Sequence, residues 1–181
     1  MMESLRAYRE LVAKVDEFLA LVKKRYGSLI RCRKGCSHCC TPGFGIFPVE
    51  AWAIREGFES LAPGAREKLR LRIASQPGQE CEALWEGVCL LYPLRPILCR
   101  THGYPLLVQG ENGEAVVKYC QFNFFPEKAS EVVISGDCVL DLEKLNRALA
   151  AVNLAFLKES KRLGQGEPPQ RVSILHFVVE S

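Results

Sequence analysis

Apolar residues recur at steps of three and four in two long stretches near the ends of the chain. Between them the pattern breaks up. The first stretch runs over residues 4–26, where Leu5, Tyr8, Leu11, Val12, Val15, Phe18, Leu19, Val22 and Tyr26 trace one helical face. Ser4 suits its N-cap, Lys23, Lys24 and Arg25 its last turn, and Gly27 its C′ position. The second runs over 141–163, with Asp141 as cap, Leu142, Leu145, Leu149, Val152 and Phe156 on the stripe, and Gly164 as terminator. Asn146 and Asn153 share a face beside that stripe; they either brace the cysteine-rich loops by hydrogen bonds or line a solvated edge, and the solvated edge is the slightly preferred reading.

Two shorter helices are predicted between them. Pro48 opens one through about Ser60, with Val49, Trp52 and Ala53 inward, and Pro63 opens another to Ser75, marked by Leu69 and Ile73. Residues 81–103 are too proline-rich for a continuous element and read as loop, with a turn of helix near Ile97 to Arg100. Residues 104–109 and 114–120 flank Gly110-Glu111-Asn112-Gly113 and predict a β-hairpin. A short strand is expected at 132–135. Gln165 to Gln170 reads as a linker, and Arg171 to Val179 as a terminal apolar segment, strand or short helix. The expected fold is one mainly α domain over 1–181: flanking helices, a short β-hairpin and an irregular cysteine-rich metal-binding centre.

The cysteines give that irregular middle a chemistry. Four of nine lie within Cys32-Arg33-Lys34-Gly35-Cys36-Ser37-His38-Cys39-Cys40, and Cys81, Cys89, Cys99 and Cys120 follow. Thiolates are soft ligands that select zinc, copper(I) or iron–sulfur clusters, and Cys36-x-x-Cys39 is a common chelating spacing. Cys39 and Cys40 are adjacent, and neighbouring side chains tend to diverge, which suggests two centres or one ligand and one support. Cys36, Cys39, Cys89 and Cys99 make the simplest four-thiolate site. Eight thiolates suit two such sites, and nine a polynuclear cluster. Cys138 lies outside the dense pattern, where a free cysteine is commonly a small buried hydrophobe. His38 and His102 sit beside cysteines, but sulfur is already sufficient there; His176 reads as a packed residue. Arg31, Arg33 and Lys34 are equally a solvated surface or an offset to thiolate charge. Arg95 and Arg100 suit a structural role or hydrogen bonding around the sulfurs. A metal tying 32–40 to 81–120 would contribute on the order of 10 kcal/mol of folding energy to a segment poor in regular structure.

The motif Cys32-x₃-Cys36-x₂-Cys39-Cys40, followed by Cys89-x-x-Tyr92-x-x-Arg95-Pro96-x-x-Cys99-Arg100, resembles the CxxCxxCC cysteine-cluster (YkgJ-like) family, described as a zinc- or iron-chelating domain. The likeness covers residues 32–120. It implies that Cys32, Cys36, Cys39, Cys40, Cys81, Cys89, Cys99 and Cys120 are metal ligands. The first spacing has three intervening residues here and two in the family. A flagellin lysine methylase is similar in its cysteine region, which implies an iron–sulfur redox protein or enzyme as the alternative. A metal-stabilised interaction module is a third class.

Composition narrows the partners. The chain is 48% hydrophobic and 25% charged, as expected of a globular protein. Its net charge of +3 counts cysteines as neutral and is too small and dispersed for a nucleic-acid signal. No apolar run predicts a membrane span, and the first residues do not resemble a secretory signal. A cytoplasmic location is therefore expected, where thiols stay reduced, and the odd cysteine count agrees. Cys89-x₅-Arg95 has a phosphatase-loop spacing, but Pro93 removes an amide donor and no glycine is present. Cys36-x-x-Cys39 lacks the strand before it that a thioredoxin-like redox pair needs. No nucleotide-binding or hydrolase motif occurs.

Overall fold

In a computed structural model of the protein, residues 2–75, 80–124, 132–161 and 171–175 are described. The long helices are α1 (Glu3–Tyr26) and α5 (Leu142–Glu159). Between them lie α2 (Pro48–Phe58), α3 (Pro63–Ala74), and a two-residue hairpin of β1 (Leu84–Trp85) and β2 (Val88–Cys89). The five-residue α4 (Ile97–Thr101), β3 (Leu106–Gln109), β4 (Ala115–Lys118) and β5 (Leu140–Asp141) complete the order. The mainly α character and the short hairpin both match the sequence pattern.

The apolar stripes meet as expected. Leu5, Tyr8, Val15, Leu19 and Val22 of α1 pack with Leu145, Leu149, Phe156 and Leu157 of α5. Val49, Ile97 and Tyr104 join this core. Cys138 belongs to it as well, at 0% exposure, so it packs as a hydrophobe. A second core gathers Ile46, Ile54, Phe58, Leu69, Leu91 and Leu175, with Cys81, Cys89 and Cys99 partly buried against it. Trp52 of α2 touches both cores and joins the frame to the cysteine region.

The helix ends depart from expectation. Ser4 lies inside α1 and is not its cap. The α1 N-terminus is closed by Glu159, whose carboxylate accepts from Glu3 N (2.8 Å), Ser4 N (3.0 Å) and Ser4 Oγ (2.6 Å). A carboxylate from the end of one helix thus satisfies free amides at the start of its neighbour. Gly27 keeps a right-handed conformation and opens a 3₁₀ turn, Gly27–Leu29. Asp141 does cap α5, accepting from Lys144 N at 3.0 Å. That helix stops short of residue 163, at Glu159, with Lys161 in the left-handed region (φ 55°). Gly164 and the linker 165–170 lie outside the described residues, as does His176.

Asn146 is exposed, but Asn153 is fully buried, and its Oδ1 accepts from Val49 N at 3.2 Å. Asn153 therefore braces α2 and is no solvated edge. Pairing of β3 with β4 runs from Leu106↔Lys118 to Gln109↔Ala115, as the Asn-Gly signal predicts. No strand forms at 132–135. The added strand is β5, parallel to β3 through Leu106↔Leu140 and Leu107↔Asp141. The loop expected at 81–103 contains the β1–β2 hairpin, turned by Glu86 (φ 48°) and Gly87 (φ 76°), and a 3₁₀ turn, Tyr92–Leu94. In the terminal segment Val172 forms one antiparallel bridge with Ile46 and a turn follows.

Candidate functional site

The loop after α1 is built from turns. Cys36 N donates to Arg33 O (3.0 Å), and Cys40 N to Ser37 O (2.9 Å). Cys40 O then accepts from Cys81 N (3.1 Å), tying the first cysteine stretch to the second. Leu84 N returns to Cys81 O (2.9 Å), and Leu84 pairs with Cys89 across the hairpin, so backbone bonds alone bring Cys40, Cys81 and Cys89 into one neighbourhood.

Cys99 arrives on α4. Glu50, 1% exposed, accepts from Phe47 N with one oxygen (2.9 Å) and from Ile97 N with the other (3.0 Å). One buried carboxylate thereby closes the N-termini of both α2 and α4. Burial pushes its pKa up, and the two amide bonds pull it back. Arg95 lies over the Tyr92 ring, 3.9 Å from its centroid, and donates to Tyr92 O (3.2 Å) and Cys99 O (3.3 Å). Arg100 donates to Arg95 O (2.7 Å) and Pro93 O (2.8 Å), and grips Asp16 of α1 through both oxygens (2.9 and 2.8 Å). The Arg-Pro-x-x-Cys-Arg stretch is thus a bolt that fixes the Cys99 helix to α1, as its two arginines suggested.

Six cysteines, Cys36, Cys39, Cys40, Cys81, Cys89 and Cys99, line one cavity of about 60 Å³. His102 closes one side, and Phe44, Leu91 and Ile174 supply apolar wall. All nine cysteines are free thiols. The neighbouring Cys40 thiol pulls Cys39 down to about 6, and Cys39 together with burial pushes Cys40 up. Burial raises Cys81 and Cys89, and burial together with the charges of Cys81 and Cys89 pushes Cys99 up to about 12. These sulfurs crowd one another in an apolar wall, with Arg95 as a nearby cation.

Cys32 and Cys120 stand apart from this cavity. They meet at Gly103, which has a φ of +95°. A Cβ there would lie 2.5 Å from Cys32 Sγ and 3.4 Å from Cys120 Cβ, so only glycine fits. Asn123, 1% exposed, holds the junction: its Oδ1 accepts from Arg31 N (2.8 Å) and Cys32 N (3.2 Å), and its Nδ2 donates to Gly103 O (2.6 Å). Burial raises the Cys32 pKa, and the side chain of Asn123 lowers it. His38 is exposed and stacks on Phe122, with centroids 4.4 Å apart. Arg31, Arg33 and Lys34 are exposed.

The sulfurs surround the cavity without converging. Among the described residues, no three His, Cys, Asp or Glu side chains already stand where they could hold a metal ion. Closing them on one requires side-chain rotation. The donor set still has the chemistry of a soft-metal site, with thiols from three distant stretches on one partly apolar wall. Glu50, Asp16, Gly103 and Asn123 carry no local sequence signal for the positions they hold. Each acts through a partner many residues away. Comparison with family models, characterised proteins and solved structures finds no match to this chain.

Proposed function

We propose that this chain is a chelating domain that holds zinc or iron through cysteine thiolates, with Cys40, Cys81, Cys89 and Cys99 as the core ligands and Cys36 and Cys39 beside them. The observation that supports it is the gathering of six thiols around one cavity, from segments separated by two helices and a hairpin. Spacing alone groups Cys36 and Cys39 with Cys89 and Cys99, and all four line the cavity. The backbone bond between Cys40 and Cys81 and the pairing of Leu84 with Cys89 favour Cys40, Cys81, Cys89 and Cys99 as the core. Four soft donors from both ends of an irregular segment would link it in a way that its hydrogen bonds do not. The reading carries the CxxCxxCC likeness with it, and a reducing cytoplasmic setting in which the nine thiols remain free.

Zinc stands first because four thiolates complete its tetrahedral shell. The cavity's size favours an iron–sulfur cluster as the second reading. About 60 Å³ exceeds what one ion needs, since a single water-sized sphere takes roughly 10–15 Å³. Absorption spectroscopy after anaerobic purification separates the two. A brown chain with stoichiometric iron and sulfide selects the cluster, and a colourless chain with bound zinc selects zinc. Cys99→Ser and Cys81→Ser are expected to lower both metal content and thermal stability. Full occupancy in both variants contradicts the choice of ligands.

A further inference from the structure

We propose that Cys32 and Cys120 form a redox modification site, a thiol pair that a peroxide closes to a disulfide and a dithiol reopens. The CxxCxxCC likeness counts both among the metal ligands, but the fold keeps them out of the six-cysteine cavity and brings them to each other at Gly103. A Cβ built on Gly103 would lie 2.5 Å from Cys32 Sγ and 3.4 Å from Cys120 Cβ. These distances bound the gap between the Cys32 sulfur and the Cys120 Cβ at about 6 Å, short enough for side-chain rotation and a small loop shift to bring sulfur to sulfur. Gly103 puts no side chain where the two meet. Both cysteines are partly exposed, so a small oxidant reaches them.

The two backbones are fixed to this junction before the sulfurs move. Cys32 N donates to Asn123 Oδ1, Cys120 N donates to Gly103 O (3.3 Å), and Cys120 O accepts from Asn123 N (2.8 Å). The other donors nearby are already engaged. Asn123 spends its oxygen on Arg31 N and Cys32 N and its nitrogen on Gly103 O. His102 lines the cavity, and its carbonyl lies 3.9 Å from Cys32 Sγ. Two sulfurs are half of what a closed thiolate shell needs, but they are all that a disulfide requires. In the step itself, one thiol gives its electron pair to a peroxide oxygen and the O–O bond breaks, leaving a sulfenic acid and one water. The second sulfur then displaces that hydroxyl, which departs with the thiol proton as the second water. Two thiols and one hydrogen peroxide thus become one disulfide and two waters. The bond joins the start of the cysteine middle to its end, so Cys40, Cys81, Cys89 and Cys99 all fall inside one covalent loop. The inference does not rest on the chelation reading; it assigns the two thiols which that reading leaves outside the cavity.

Peptide mapping of the anaerobically purified full chain tests the pair. The chain is treated with about one equivalent of hydrogen peroxide, its remaining thiols are alkylated, and it is digested and read by mass spectrometry, with metal measured on the same sample. The expected first product is a peptide pair linked through Cys32 and Cys120, returned to free thiols by dithiothreitol, with metal content unchanged. Cys32→Ser and Cys120→Ser are each expected to abolish that product, and far-ultraviolet circular dichroism checks that their helices persist. The mapping of the intact chain decides the matter even where a variant does not fold. A link from Cys32 to Cys36, or a disulfide within the cavity set that forms first, overturns the pair, as does the absence of any link between Cys32 and Cys120 in excess peroxide. Metal lost in step with formation of the link makes the two thiols ligands and overturns a site apart from the cavity. A chain that holds no metal and still forms the link supports this inference and contradicts chelation.

Discussion

The helical frame and the cysteine middle solve the same problem by different means. The frame of α1 and α5 closes itself: apolar stripes interlock, Glu159 caps α1, and Asp141 caps α5. The middle packs against an apolar core of its own, but single polar side chains set the positions of its loops. Glu50 ends two helices, Arg100 ties α4 to α1, and Asn123 ties Cys32 to Gly103. Six of its sulfurs line one cavity. Burial of apolar surface is non-directional and tolerates variation, whereas each of these bolts serves a single geometry. The positions of the middle's loops therefore depend on a few directional contacts, and a bound metal would add to these.

Metal removal should separate the two regions most. A chelator strong enough to strip a thiolate centre removes on the order of 10 kcal/mol of linked folding energy. Hydrogen exchange should then accelerate over 32–40 and 81–120, while α1 and α5 keep their protection. Equal acceleration in both regions would erase the contrast. Phe156→Ala probes the other side. Phe156 is fully buried between the helices, and its truncation should cost about 3–5 kcal/mol in a denaturant melt while leaving metal stoichiometry unchanged.

Asn123→Ala removes three hydrogen bonds to the Cys32–Gly103 junction and should cost about 1–3 kcal/mol. A denaturant melt reads that cost, and the amides of Arg31 and Cys32, which donate to Asn123, should exchange faster in the variant. The smallest effect is a pH response at the frame's edge. Hydrogen bonds from Ser4 and Glu3 hold the Glu159 carboxyl below its ordinary 4.5. A depressed carboxyl stabilises the fold fully above its unfolded value, so this contribution is present above about pH 4.5 and fades as pH falls through the lower folded value. Glu159→Gln should flatten that part of the acid melting profile, and an unchanged profile would show the clamp to be idle.

The frame was legible in the sequence because its information is local. Leu5 to Tyr26 and Leu142 to Phe156 repeat with the helical period, and Asp141 sits where a cap belongs. The Asn-Gly hairpin was legible for the same reason. What escaped depends on distance. Glu159 reaches Ser4 across the length of the chain, and nothing near Ser4 announces a cap from elsewhere. The pattern leaves Asn153 open between brace and solvated edge, because its partner, Val49 N, lies in another helix. A strand of two residues, as at Leu84–Trp85, carries too little periodicity to register. In the site, spacing suggested Cys36 and Cys39 with Cys89 and Cys99. Those four do line one cavity, but the fold also sets Cys40 beside Cys81 and brings Cys32 to Cys120 over a glycine, a proximity no spacing rule encodes.

The most direct measurement is elemental analysis of the intact chain, purified anaerobically, with metal and protein quantified on the same sample. The account predicts zinc or iron bound in stoichiometric amount and the cavity thiols protected from a thiol reagent until the metal is chelated. A folded, metal-free chain whose nine cysteines all react at once, and which takes up no zinc or iron when they are supplied, would contradict it.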